Sequence, residues 1–167
     1  MAFTKINIAE QTFNPFELIS KQWMLISAGS ANSWNTMTAS WGGVGELWGR
    51  YVSTIYIRPQ RYTLEFVERE DYYSLCFFGP EYRQALNLCG SKSGREVDKD
   101  AATGLTPCFD EAAPYYEQAR LVFLCRKLYR QDLEEGCFLD KGLLEKWYDN
   151  DLHRMFIGEI VKVLEKE

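Results

Sequence analysis

The sequence predicts a mainly β protein, a small barrel or curled antiparallel sheet with short helices inserted between strands. Three observations predict it. β-Branched and aromatic runs recur along the chain, at residues 23–29, 52–57, 72–78, 119–130 and 155–164. Glycine and proline close most of these runs, as Gly29, Pro59 and Gly79-Pro80 do. No long helical pattern alternates regularly with the strands, which argues against a doubly wound parallel sheet.

The elements follow in order. Asn14-Pro15-Phe16-Glu17 reads as a helix start, with Asn14 as the cap and Pro15 at the first helical position. That helix must be short, because residues 23–29 form a strand that runs into a glycine turn. A polar, small-residue stretch covers 30–40 and ends at Trp41-Gly42-Gly43. The strand at 52–57 stops before Pro59. Thr63 can cap a short helix over 63–69. After the strand at 72–78, Pro80 starts a helix that runs through Leu88, and 98–103 forms a further turn closed by Gly104. The run 119–130 reads as a long strand, with Leu121, Phe123 and Cys125 sharing one face. A helix at 141–148 precedes the closing strand at 155–164, where Gly158 marks a bulge or bend. No linker or composition shift divides the chain, so residues 1–167 form one domain.

Composition narrows the function. Hydrophobic residues make up 46% of the chain and aromatics 15%, including ten Tyr and five Trp, which excludes disorder. So many rings fill a core, line a ring-binding site or cover a subunit interface. The net charge of −5 argues against nucleic-acid binding. Five cysteines without a CxxC pair, and a single histidine, fit neither a disulfide scaffold nor a zinc site. Residues 1–10 lack a secretory pattern and no run of 18 apolar residues exists, so a cytoplasmic protein without a membrane span is expected.

Three segments can carry a ligand. Asn35-Thr36-Met37-Thr38-Ala39-Ser40-Trp41 packs an amide and three hydroxyls beside small residues. Such a loop can cradle a phosphate, or be a plain turn or a strand with a polar outer face. Neither GxGxxG nor GxxxxGK[ST] is present. Ser91-Lys92-Ser93-Gly94-Arg95 offers two cations and two hydroxyls between glycines, as an anion site or as a solvated loop after a helix. Arg58-Pro59, with Thr63 at a helix start, can present backbone N–H groups to a ligand, or be an edge strand with an exposed arginine. His153 stands alone before the last strand. No Ser-His-Asp or Cys-His order can be drawn, and Glu134-Glu135 reads as a solvated turn.

At these segments, together with Asp98-Lys99 and His153, the chain resembles the flavin reductase-like family, and most of all its flavoredoxin-like members. The resemblance runs from about residue 23 to about 164. It implies a Greek-key split β-barrel that binds FMN, an oxidoreductase that moves electrons from a nicotinamide or protein donor, and a homodimer. An FMN-binding electron carrier or storage protein without catalysis is the alternative. It also implies that residues 35–41 run past the flavin, that Arg58 and Thr63 lie near its phosphate and ring edge, and that Ser91, Lys92, Ser93 and Arg95 hold the phosphate or close the pocket. His153 would approach the cofactor or a bound NADH or NADPH.

Overall fold

The computed structural model describes residues 2–166. The strands are β1 (Phe3–Ile6), β2 (Met24–Ser30), β3 (Ser33–Ala39), β4 (Gly42–Leu47), β5 (Arg50–Ile57), β6 (Tyr72–Phe77), β7 (Pro107–Cys108), β8 (Tyr115–Tyr116), β9 (Leu121–Asp132) and β10 (Arg154–Lys166). The helices are α1 (Thr63–Arg69), α2 (Arg83–Ser91), α3 (Lys99–Thr103) and α4 (Gly142–Trp147), with one π-helical turn at Glu17–Gln22. No helix among the described residues is long and apolar enough to cross a membrane.

One antiparallel sheet of eight strands runs in the order β3-β2-β6-β9-β10-β5-β4, with β1 added to the far end of β10. Among the described residues no ring of hydrogen bonds closes it into a barrel; the curled sheet is consistent with a split barrel-like fold. The chain itself bridges the two edges. β3 pairs with β2, β4 pairs with β5, and only Ser40 and Trp41 separate β3 from β4. One bent strand thus passes from one edge of the sheet to the other. Backbone groups at the bend have left one partner strand and not yet met the next. Buried backbone groups need partners, so such a split is where a ligand can find some.

The curl follows from the apolar pattern. Met24, Ile26 and Ala28 of β2, Met37 and Ala39 of β3, Ile55 and Ile57 of β5, Leu75 and Phe77 of β6, and Phe123 and Cys125 of β9 alternate onto one face and form one core. The opposite face of β2, β6 and β9 buries Leu25, Cys76, Val122 and Leu124 under Leu86 and Cys89 of α2, Leu105 and Tyr116. A sheet covered on both faces over part of its width explains why β9 reads as a continuous apolar run.

Local signals set the helices as expected. The Asn14 side chain accepts from the N–H groups of Phe16 and Glu17, at 3.0 and 3.3 Å. Asp98 caps α3, which ends at Gly104 with φ 71°. Thr63 does not cap α1; its hydroxyl instead accepts a bond from Asn35. The expected irregularity at Gly158 is a register shift between Ile157 and Gly158. β1, β4, β7 and β8 had no readable signal, being short, glycine-rich or dependent on a distant partner.

Candidate functional site

A cavity of about 230 Å³ lies at the split, lined by Met37, Thr38, Ala39, Ser40 and Trp41 with Tyr56, Arg58, Arg61, Trp147 and His153. The chain's bend supplies one wall. Its rings define the shape: the Trp41 and His153 centroids are 5.4 Å apart, Tyr56 and His153 6.4 Å, and Trp41 meets Trp147 edge-on at 5.1 Å. A second cavity, of about 440 Å³, is lined by Trp34, Asn35, Thr36, Gly94, Arg95 and 96–100. Residues 35 and 36 therefore face one cavity while 37–41 face the other, so this single strand borders both.

The hydroxyls divide by task. Thr36 Oγ1 accepts from Ser27 Oγ at 2.8 Å and donates to the Ile26 carbonyl at 3.2 Å. Thr38 Oγ1 donates to the Leu86 carbonyl at 2.5 Å, and Asn35 donates to Thr63 Oγ1 at 2.9 Å. These side chains brace the strand, which leaves its backbone, Ser40 and the Trp41 indole to face a ligand.

The basic groups divide between the two cavities and the surface: Arg58 lines the ring-walled cavity and Arg95 borders the second. Arg58 donates to an Asp151 carboxylate oxygen and, at 2.7 Å, to the Trp147 carbonyl. It ties the 133–152 segment to the sheet. Arg95, half exposed, pairs with Glu65 and lies 4.1 Å over the Tyr62 ring. Ser91 and Lys92 are exposed and border neither cavity, nor does Ser93. Gly94 packs so closely on the Asn35 amide that a side chain there would displace it. The loop therefore buttresses Asn35, and of its four polar residues named above only Arg95 reaches a cavity wall.

Two cations that sequence reasoning left out are better placed. Arg61 lines the ring-walled cavity and donates to the Gly90 carbonyl at 2.7 Å; burial lowers its pKa. Lys99, only 6% exposed, borders the second cavity and donates to the Thr36 carbonyl at 2.6 Å and the Cys89 carbonyl at 3.1 Å. Burial pushes it down to about 8, against a small upward pull from Cys89. The Asp98-Lys99 pair was the available signal, read only as part of the resemblance.

His153 is 6% exposed, and burial, helped by nearby Arg58, holds it at about 4. It is a neutral imidazole at physiological pH. Its Nδ1 meets the Tyr148 hydroxyl at 2.8 Å, while Nε2 has no hydrogen-bond partner among the described residues.

A curled, split sheet with a ring-walled cavity at the split defines a class of small ligand-binding β protein, and the family match names it. Residues 16–167 match the family model described as the flavin reductase like domain. The chain belongs to that family. Among solved structures it resembles flavoredoxin from Methanosarcina acetivorans, at 21% identity and a TM-score of 0.68, over 98% of this chain and 76% of that one. It also resembles flavoredoxin of Desulfovibrio vulgaris (Miyazaki F), at 20% identity and a TM-score of 0.67, over 98% and 78%. An FMN-binding domain of a flavin reductases-like enzyme from Shewanella baltica superposes with a TM-score of 0.70 at 15% identity, over 98% and 77%. At these identities the likeness concerns the fold. No curated protein matches the chain by sequence.

Proposed function

We propose that this chain binds FMN as one domain and acts as an oxidoreductase, taking electrons from a nicotinamide or protein donor. The ring end would occupy the Trp41–His153 cavity, and the phosphate end would lie toward Arg61, Lys99 and the 91–95 loop. One observation carries the reading: a single bent strand borders both an aromatic cavity and a cation-bearing one. The donor set fits the cofactor. Flat indole and phenol walls suit a conjugated ring, and the free Nε2 of buried His153 suits a polar ring edge. The 230 Å³ cavity is below the roughly 300–1,000 Å³ usual for a whole drug-sized ligand, so it takes one end of the molecule. When bound, the flavin supplies the electron and hydride chemistry, and the protein supplies position and electrostatics. Thr36 and Thr38 keep the strand rigid, Trp41 and Trp147 exclude water, and Arg61 and Lys99 attract the anion.

The test is direct. Purified protein should be yellow or take up FMN, and anaerobic NADH or NADPH should bleach it. A protein that binds FMN but is bleached by neither takes its electrons from another protein; one that never binds FMN overturns the reading. Substituting Lys92→Ala and Arg95→Ala separately should weaken FMN binding only about two- to fourfold, because both side chains are exposed and screened. Riboflavin affinity should not change. A hundredfold loss on Lys92→Ala would move the phosphate onto the loop itself.

We also propose a homodimer. The face of β4, β5, β10 and β9 turned away from the main core carries Leu47, Val52, Ile157 and Tyr129, with Ile157 opposite Tyr129 in register. Val52 and Ile157 are buried there, and Leu47, Trp48 and Tyr129 are 38%, 58% and 42% exposed. Arg50, Arg126 and Glu159 lie on the same face and are joined by ion pairs, so the charges there are partly neutralised among themselves. Sedimentation equilibrium should give a dimer at micromolar concentration, and Tyr129→Glu should give a monomer. A monomeric parent protein with FMN present would refute this.

A further inference from the structure

Between β9 and β10 the chain leaves the sheet for residues 133–152. The excursion starts and ends at one pinch, where the Leu133 N–H donates to the His153 carbonyl at 2.9 Å. None of residues 133–152 is buried, and Leu139 projects fully into solvent. A cavity of about 570 Å³, walled by Pro59, Leu133, Leu144, Tyr148 and Leu152, lies between the segment and the sheet. A segment with so little buried contact has low local stability.

A few attachments hold it. Asp151 accepts from Arg58 and, at 2.9 Å, from Gln60 Nε2, while Arg58 also donates to the Trp147 carbonyl and lies 5.1 Å over the Tyr148 ring. Pinned in this way, the segment delivers Trp147 against Trp41 and Tyr148 onto His153 Nδ1.

We propose that Tyr148 is a positioning residue that fixes His153 as an Nε2–H donor facing the ring-walled cavity, and that the Arg58–Asp151 latch holds the 133–152 segment where Tyr148 can do so. The phenol donates and keeps its proton, because an imidazole nitrogen is a better acceptor than a phenol oxygen and the Tyr148 pKa, raised by burial, lies far above that of the imidazolium. A neutral imidazole that accepts at Nδ1 must carry its hydrogen at Nε2. Nε2 is the atom without a partner, so the cavity offers one donor to an acceptor on a ligand's ring edge, a carbonyl oxygen or a pyridine-type nitrogen. The groups facing His153 are Arg58 and Tyr56 from β5 and the loop after it, and Tyr148 and Asp151 from the segment. Only Asp151 among the charged ones favours the imidazolium, and burial outweighs it. The inference rests on the reading that this cavity takes the flavin ring.

His153 is the chain's single histidine, so nitrogen-15 spectroscopy of the apoprotein reads it without ambiguity. Long-range proton–nitrogen correlations should show the Nε2–H form, titrating near pH 4. Tyr148→Phe should give a mixture of both tautomers and raise the titration by about one unit or more as water reaches Nδ1. Asp151→Asn should give the same mixture with Tyr148 intact. Loss of the carboxylate charge by itself lowers the titration and leaves the tautomer alone, so the tautomer is the readout there. Arg58→Lys, which keeps the charge and loses the fork, is the second latch variant should Asp151→Asn not fold. An Nδ1–H form in the parent protein, or a Tyr148→Phe spectrum unchanged in tautomer, overturns the positioning role; latch variants that keep the Nε2–H form overturn the latch. FMN titration of the same samples separates the two readings. Affinity should fall about two- to tenfold in Tyr148→Phe, the span of one neutral hydrogen bond. The expected tautomers in a protein that takes up no FMN would leave the positioning intact and sink the flavin site; FMN uptake with unaltered affinity in Tyr148→Phe would overturn the donor's part in binding.

Discussion

Replacing Gly158 with alanine is expected to destabilise the fold by about 3 kcal/mol, through overpacking and a broken buried hydrogen bond together. A β-carbon at 158 would lie 2.5 Å from the Tyr73 hydroxyl oxygen and 2.9 Å from two of its ring carbons. Tyr73 cannot step aside. It is fully buried in the core of the curled sheet, and its hydroxyl meets Ser53 Oγ at 2.7 Å, which in turn donates to Cys125 Sγ at 3.3 Å. Moving the ring would leave that buried polar pair unsatisfied. Urea unfolding should show a lower midpoint with an unchanged slope. The double variant Gly158→Ala with Tyr73→Phe should recover part of the loss, since the closest clash is with the hydroxyl, and a double-mutant cycle would read the coupling. A loss below about 0.5 kcal/mol, the level of an ordinary surface substitution, would mean that the bulge at 157–158 absorbs the methyl group.

Lys99→Met is expected to cost ten- to hundredfold in FMN affinity, the worth of roughly one charge-assisted hydrogen bond. Lys99 is a buried ammonium with two carbonyl partners and, among the described residues, no carboxylate bonded to it. Arg61 nearby has the same sign and pushes its pKa down, together with burial. Asp98 is turned to the N–H groups of α3, and Asp100 accepts from Tyr116. A phosphate dianion would restore the favour for the charged form, so the pKa of Lys99 should rise when FMN binds. The sign follows: FMN affinity should be full below about pH 8 and weaken as pH rises above it, where free Lys99 loses its proton. Riboflavin, which lacks the phosphate, should show neither the pH dependence nor the mutational loss. Equal losses for both ligands would assign Lys99 to bracing Thr36 and Cys89 only. Stability should fall in the methionine variant, because the Thr36 and Cys89 carbonyls lose their donor, offset in part by the desolvation cost lifted with the ammonium.

The two readings of the chain agree where physics is local. The β-branched and aromatic runs at 52–57, 72–78 and 119–130 became β5, β6 and β9, within a residue or two. Asn14 and Asp98 capped helices because a short polar side chain reaches the next free N–H groups whatever surrounds it. Residues 37–41 and His153 meet at one cavity, while 35 and 36 border the second, although nothing local brings these groups together.

What local reasoning missed depends on partners far along the chain. Half of β4 is glycine, and it is a strand because β5 pairs with it at the edge. Arg58 lines the ring-walled cavity, and its fork is also taken up by Asp151, 93 positions away. Whether a cation is free or paired is a property of the folded neighbourhood and not of its own segment. Lys99 looks like any surface lysine until α2 and β3 close over it. Tyr148 and Trp147 belong to a stretch with no buried residue, and their meaning comes only from where the latch places them. The sequence by itself determined the alternation that makes the strands, the caps that start the helices and the ring-rich composition. Tertiary structure alone decided where the sheet splits, which cations border a cavity and which nitrogen of His153 is left without a partner, because each is set by groups brought together across the whole chain.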